Sequence, residues 1–188
     1  MTLTSDDEKY LLNISRKSIE SITRDNIILE VPNDCPEHLK EKLGVFCTIN
    51  KNNNLRGCIG YPEPVKPLIN ALIDVSISAA QNDYRFETLK EEELKDIKIE
   101  ITILTKPELI KVEKNEEYLE KINIGEDGLI IKTMFNTGLL LPQVATEYNM
   151  DVKTFLEHTC LKAGLKPNDW LNKKDIEIYK FQGKEFSE

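Results

Sequence analysis

No apolar run in this 188-residue chain approaches the roughly 20 residues that span a bilayer, so no membrane-crossing helix is expected. The first residues, MTLTSDDEKYLLN, lack the basic stretch, apolar core and small-residue cleavage site of a secretory signal, and a cytoplasmic location is expected. Positive charge is also short: 25 Lys and Arg face 33 Asp and Glu, a net charge of -8. That balance repels phosphate polymers, so neither nucleic acid nor an anionic membrane is an expected partner. Cysteine is sparse. Cys35, Cys47, Cys58 and Cys160 are irregularly spaced with no CxxC pair, which argues against a zinc site and, in a reducing compartment, for free thiols. GxxxxGK, GxGxxG, HExxH and GxSxG are all missing, and no cofactor or metal is expected.

What remains is ordinary globular material, 40% hydrophobic and 31% charged, enough for one domain over 1–188, divisible into two lobes at about 1–105 and 106–188. Ser5 with Glu8 three residues later reads as a capping box, and Leu11, Ile14, Ser18, Ile19 and Ile22 return at helical spacing, predicting a helix to about Arg24. A short strand is expected at Ile27 to Val31, then a brief helix opened by Pro36 and ended by Gly44. GVFCTIN, the turn KNNN and LRGCIG predict an antiparallel hairpin. VKPLINALIDVSISAAQ reads as a largely buried helix, and IKIEITIL as a strand with Ile97, Ile99, Ile101 and Ile103 on one face. The order then recurs as GLIIKTM, FNTG, LLLP, helical segments from Gln143 to Gly164, and DIEIYKF. The pattern predicts two related strand-hairpin-helix-strand repeats sharing one antiparallel sheet, with chance similarity of short β patterns as the alternative.

Chemistry concentrates at LRGCIG. Strand alternation puts Leu55 and Ile59 on one face and Arg56 and Cys58 on the other, while Gly57 and Gly60 leave room for a neighbouring backbone or a ligand. Arginine is rare, at four residues, and Arg56 can present a planar fork to a carboxylate or phosphate, or pair with an internal acid such as Asp83 or Glu87. Cys58 is a candidate nucleophile if a nearby guanidinium favours its thiolate, and otherwise a small buried hydrophobe. In NDYRF, Asp83 and Arg85 either brace a turn or line the same pocket. Gln143, beside Pro142 where a strand meets a helix, can orient a ligand or cap backbone groups. His158 and Cys160 are two positions apart on one helix, hence on opposite sides, which excludes them as a catalytic or metal-binding pair. His38 and the acidic run KEEELKD are read as solvent-facing, and Trp170 as a packing anchor.

At LRGCIG, DYRF, LLLPQVA, FLEHTCLKAGL and the closing YKFQGKEFSE the chain resembles the AMMECR family over nearly its whole length. The resemblance implies an α+β fold of two related repeats on one antiparallel sheet. It implies no settled activity, and whether the protein is an enzyme stays open. It does imply Memo-like and radical SAM proteins as partners in a shared enzymatic system. The matching positions are Arg56, Gly57, Cys58 and Gly60, then Asp83, Arg85 and Phe86, Pro142 and Gln143, and Cys160, Lys162 and Gly164. Tyr84 stands where the family usually has proline, and Met150 where tryptophan is common. The expected small-molecule or modified-residue site takes Arg56 and Arg85 as anion binders, Asp83 as the group orienting an arginine, Gln143 as a positioning amide, Cys58 as the thiolate and Cys160 as wall. A noncatalytic adaptor docking a protein through the same face is the rival reading.

Overall fold

The computed structural model describes residues 3–173 and 175–188. The chain forms two compact units, one of residues up to Leu104 together with Lys184–Glu188, the other Thr105–Gly183. In the first, α1 (Ser5–Asp25) buries Leu11, Ile14, Ile19 and Ile22 along one stripe. Its cap is Thr4 rather than Ser5. The Thr4 hydroxyl accepts from the Asp7 N–H while the Asp7 carboxylate accepts from the Thr4 N–H, so the reciprocal box sits one residue earlier than the Ser-x-x-Glu spacing suggests.

Residues 27–31 form no strand: Ile27 and Ile28 are exposed, and only Leu29 and Val31 pack on the core. β-branched residues there lack a neighbouring strand to satisfy their backbone. Pro36 opens a single 3-10 turn, Glu37–Lys40, and Gly44 does not end it but begins β1 (Gly44–Lys51). β1 pairs antiparallel with β2 (Asn54–Tyr61) through a two-residue turn in which Asn52 and Asn53 both have φ near +60°, the left-handed geometry that matches strand twist.

α2 (Leu68–Gln81) begins after Pro67, and buries Leu68, Ile69, Leu72 and Val75 against β1 and β2. Ser15 of α1 and Ser76 of α2 share a buried hydrogen bond at 2.7 Å, a contact that small hydroxyls make at close helix approach. β3 (Ile97–Leu104) turns its four isoleucines inward, as its alternation requires.

The second unit holds β4 (Glu108–Leu109), α3 (Tyr118–Lys121), the hairpin β5 (Asp127–Lys132) and β6 (Thr137–Leu140), then α4 (Pro142–Glu147), α5 (Val152–Lys162) and α6 (Asp169–Asn172). Its core gathers Leu129, Ile131, Phe155, Leu156, Cys160, Trp170 and Ile178. Hairpin, helix and closing strand thus recur, giving an α+β fold of two related repeats. The last strand, β7 (Glu177–Ser187), serves both units: it pairs with β4 and β5, and from Lys184 it belongs to the first unit, where the Glu188 N–H donates to the Ile99 carbonyl at 3.1 Å. Strand order in the shared sheet is β2-β1-β3-β7-β5-β6.

Candidate functional site

The ladder between β1 and β2 is regular until Arg56. Ile49 pairs with Gly57 but Asn50 with Leu55, so Arg56 is the extra residue of a β-bulge. The bulge breaks the simple alternation: Leu55 stands opposite Asn50 and is 42% exposed rather than sharing the buried face of Ile59. It also re-aims Arg56. Its Nε and Nη2 donate to the two carboxylate oxygens of Glu93 at 3.1 and 3.0 Å, and Nη1 donates to the Glu87 carbonyl at 2.7 Å.

The acid that holds Arg56 is therefore Glu93, from the run read as solvent-facing, not Asp83 or the side chain of Glu87. Lys51 Nζ and the Lys90 N–H also donate to Glu93, and these donors, the guanidinium foremost, hold its carboxyl down at about 2 against an ordinary 4.5. The bond ties the segment from Glu87 to Glu93 onto the hairpin. A carboxyl lowered in the folded state stabilises at pH above its ordinary value and stops doing so as pH falls through the lowered one. Wild-type protein is thus expected to lose on the order of 2 kcal/mol between about pH 4.5 and pH 2 from this group. Glu93→Gln should be less stable than wild type at pH 7 by that amount, and urea titrations should show the gap closing toward pH 2.

Asp83 and Arg85 act on the outer edge of β2. Asp83, 4% exposed, accepts from the Cys58 N–H at 2.8 Å and from Arg85 Nε and Nη2 at 2.9 and 2.7 Å, while Arg85 Nη2 also donates to the Cys58 carbonyl at 3.1 Å. The ion pair thereby occupies both backbone groups that Cys58 would offer to another strand, which protects a sheet edge. The Arg85 guanidinium beside it holds the Asp83 carboxyl far below the usual range.

The Cys58 thiol accepts from the Thr48 hydroxyl at 3.2 Å, and Thr48 stands opposite Cys58 on one side and Glu100 of β3 on the other. A thiol, a hydroxyl and a carboxyl thus follow one another across three strands. Burial, reinforced by Glu185, pushes the Glu100 carboxyl up. Sequence reasoning missed Thr48 and Glu100 because the pairing register that aligns them is not written in either strand alone. Among the four thiols only Cys58 is partly exposed; Cys47 and Cys160 are buried, and burial pushes each up to about 11.

Two glycines shape the hairpin. A Cβ on Gly57 would lie 2.1 Å from the Ala79 carbonyl oxygen of α2, and one on Gly60 would meet the Phe46 ring. Beside Arg56 opens a polar groove of about 440 Å³ lined by Lys51, Phe86, Glu87, Lys90, Glu92 and Glu93. Of the remaining sequence candidates, Gln143 is an exposed residue of α4, and Cys160 is a fully buried core residue on α5, both in the second unit. His38 is not merely solvated: its Nε2 bonds Asp7 at 2.8 Å. Among the described residues, no cluster of His, Cys, Asp and Glu suited to a metal ion occurs, and no helix is long and apolar enough to cross a membrane.

The AMMECR1 family model matches residues 12–186. The chain belongs to the AMMECR1 family. It is similar to a protein of Methanothermobacter thermautotrophicus, 48% identical over 186 residues that cover 99% of this chain and 96% of the relative. A Methanocaldococcus jannaschii protein is 48% identical over 189 residues, covering 99% and 92%. The crystal structure of an uncharacterized protein from Pyrococcus horikoshii matches with a TM-score of 0.81 at 43% identity, over 95% of this chain and 90% of that one. These relatives carry the AMMECR1 fold without naming a reaction.

Proposed function

We propose that this AMMECR1 protein is cytoplasmic and takes a small zwitterionic molecule or a modified residue at its LRGCIG face, with Cys58 as the reacting thiol, in an enzymatic system shared with Memo-like and radical SAM proteins. One observation carries the reading. The groove beside Arg56 sets three cations, Lys51, Arg56 and Lys90, among three carboxylates, Glu87, Glu92 and Glu93, around the single aromatic ring of Phe86. Mixed charge around one aromatic ring suits a ligand bearing both signs better than an apolar protein surface does. The Thr48 hydroxyl, which donates to the Cys58 sulfur, is placed to stabilise the thiolate once its proton has left.

The adaptor reading draws support from Tyr84, which is 94% exposed beside Arg85, a pairing of residue types that anchor protein interfaces. The two separate by experiment. Compounds and proteins captured by wild type should be compared with those captured by Arg56→Lys, Cys58→Ser and Tyr84→Ala, each checked for an unchanged melt. Loss of a captured compound in the first two supports the ligand site, and loss of a captured protein in Tyr84→Ala alone supports the adaptor. In the native protein a thiol-disulfide reagent should modify one cysteine rapidly and three only on unfolding, with Cys58→Ser removing the fast phase. Fast modification of a different thiol would count against Cys58 as the reacting group.

A further inference from the structure

Two stretches singled out in the sequence, LPQVA and CLKAGL, contribute no residue to the lining of the groove beside Arg56. In the second unit they face one another across a cleft of about 380 Å³, within the range of small-ligand pockets, roughly 300–1,000 Å³. Leu140 at the end of β6 and Val144 of α4 contribute apolar surface, with Met150, whose flexible thioether adapts to irregular shapes, beside them. Tyr148 and Leu161 are 71% and 52% exposed at this cleft, a large apolar area left to solvent by two side chains that fold onto it.

Charge at the cleft runs against the molecule as a whole. In a chain of net charge -8, no carboxylate lines it, and its ionisable side chains other than Tyr148 are His158 and Lys162, four residues apart and so on one face of α5. Lys162 forms no ion pair among the described residues. The placement follows from Gly138: a Cβ there would lie 2.4 Å from the Ala163 nitrogen, so the bare strand lets the end of α5 settle onto β6 and brings Lys162 to the cleft beside Leu140.

We propose that this cleft is a second binding site, taking a small monoanion with an apolar body, a phenylalkanoate or branched short-chain carboxylate, with the hydrocarbon against Leu140, Val144 and Met150 and the carboxylate at Lys162. It is independent of the LRGCIG reading, because no residue is shared. A bare hydrophobic slot would take neutral and anionic compounds alike; the lysine without a carboxylate partner is what selects the anion.

The test uses 4-phenylbutyrate, with 4-phenyl-1-butanol as the neutral control and 4-phenylbutylamine as the cationic one, followed by amide chemical shifts of the full chain. The carboxylate should shift the residues of α4 and α5 and bind more tightly than either control. Lys162→Glu should weaken it about fivefold or more, the effect of one partly exposed charge pair with its sign reversed. Val144→Trp, which fills the cleft, should abolish the shifts while the melt stays in place. Equal binding of carboxylate and alcohol, indifference to Lys162→Glu, binding that survives Val144→Trp, or no shift from any probe overturns the proposal. So does a change in the same resonances on raising protein concentration alone, which would mark the cleft as a contact between copies of this chain.

Discussion

Asp83→Ala is expected to cost about 3 kcal/mol of folding stability, because it removes one partner of a buried charged network and leaves the other groups in place. The carboxylate receives the Cys58 N–H, the Arg85 N–H and two guanidinium donors. Water can reach Arg85, whose side chain is partly exposed, so the loss falls mainly on the β2 edge and the turn from Asp83 to Arg85. For a chain of this size the melting temperature should drop by roughly 6–12 °C. Asp83→Asn should do nearly as badly, since either amide orientation points an NH2 at groups that are themselves donors. Urea unfolding of both variants checks this, and an Asn variant as stable as wild type would show that charge is not what holds the edge.

Gly57→Ala carries the second large effect, about 3 kcal/mol, at the upper end of what overpacking ordinarily costs. The obstacle is the Ala79 carbonyl oxygen at 2.1 Å, a backbone atom in the last turn of α2 on its buried face, so relief requires moving that end of α2 off the hairpin. Gly60→Ala makes a useful contrast. Its neighbour is the Phe46 ring, which can turn about its own side-chain torsions, and the expected loss is smaller. Denaturant melts of the two variants should therefore rank Gly57→Ala well below Gly60→Ala; the reverse order would mean that α2 is held more loosely than its packing implies.

Periodicity was legible where both neighbours of a segment were regular. IKIEITIL told its buried face because alternation is a property of one strand, and the Asn-rich turn told its handedness because few residues tolerate it. The stretch 27–31 misled because β-branched composition speaks of a strand without supplying a partner. Arg56 was visible as unusual, but its direction was not: a bulge arises from the match of two strands and appears in neither alone. Glu93 was hidden for a related reason. Among three consecutive glutamates, only the fold decides which one meets the Arg56 guanidinium.

The return of Lys184–Glu188 to the first unit bears on how this protein is made. Arg16 on α1 is bound by the side chain of Glu188, and Lys184 reaches the Leu3 carbonyl and Glu8, so the opening helix is clasped by residues synthesised long after it. At ordinary translation rates that is a wait on the order of ten seconds after Leu104 has emerged. The nascent chain spends that interval with the flank of β3 unshielded, a window in which chaperones or a neighbouring polysome product can intervene.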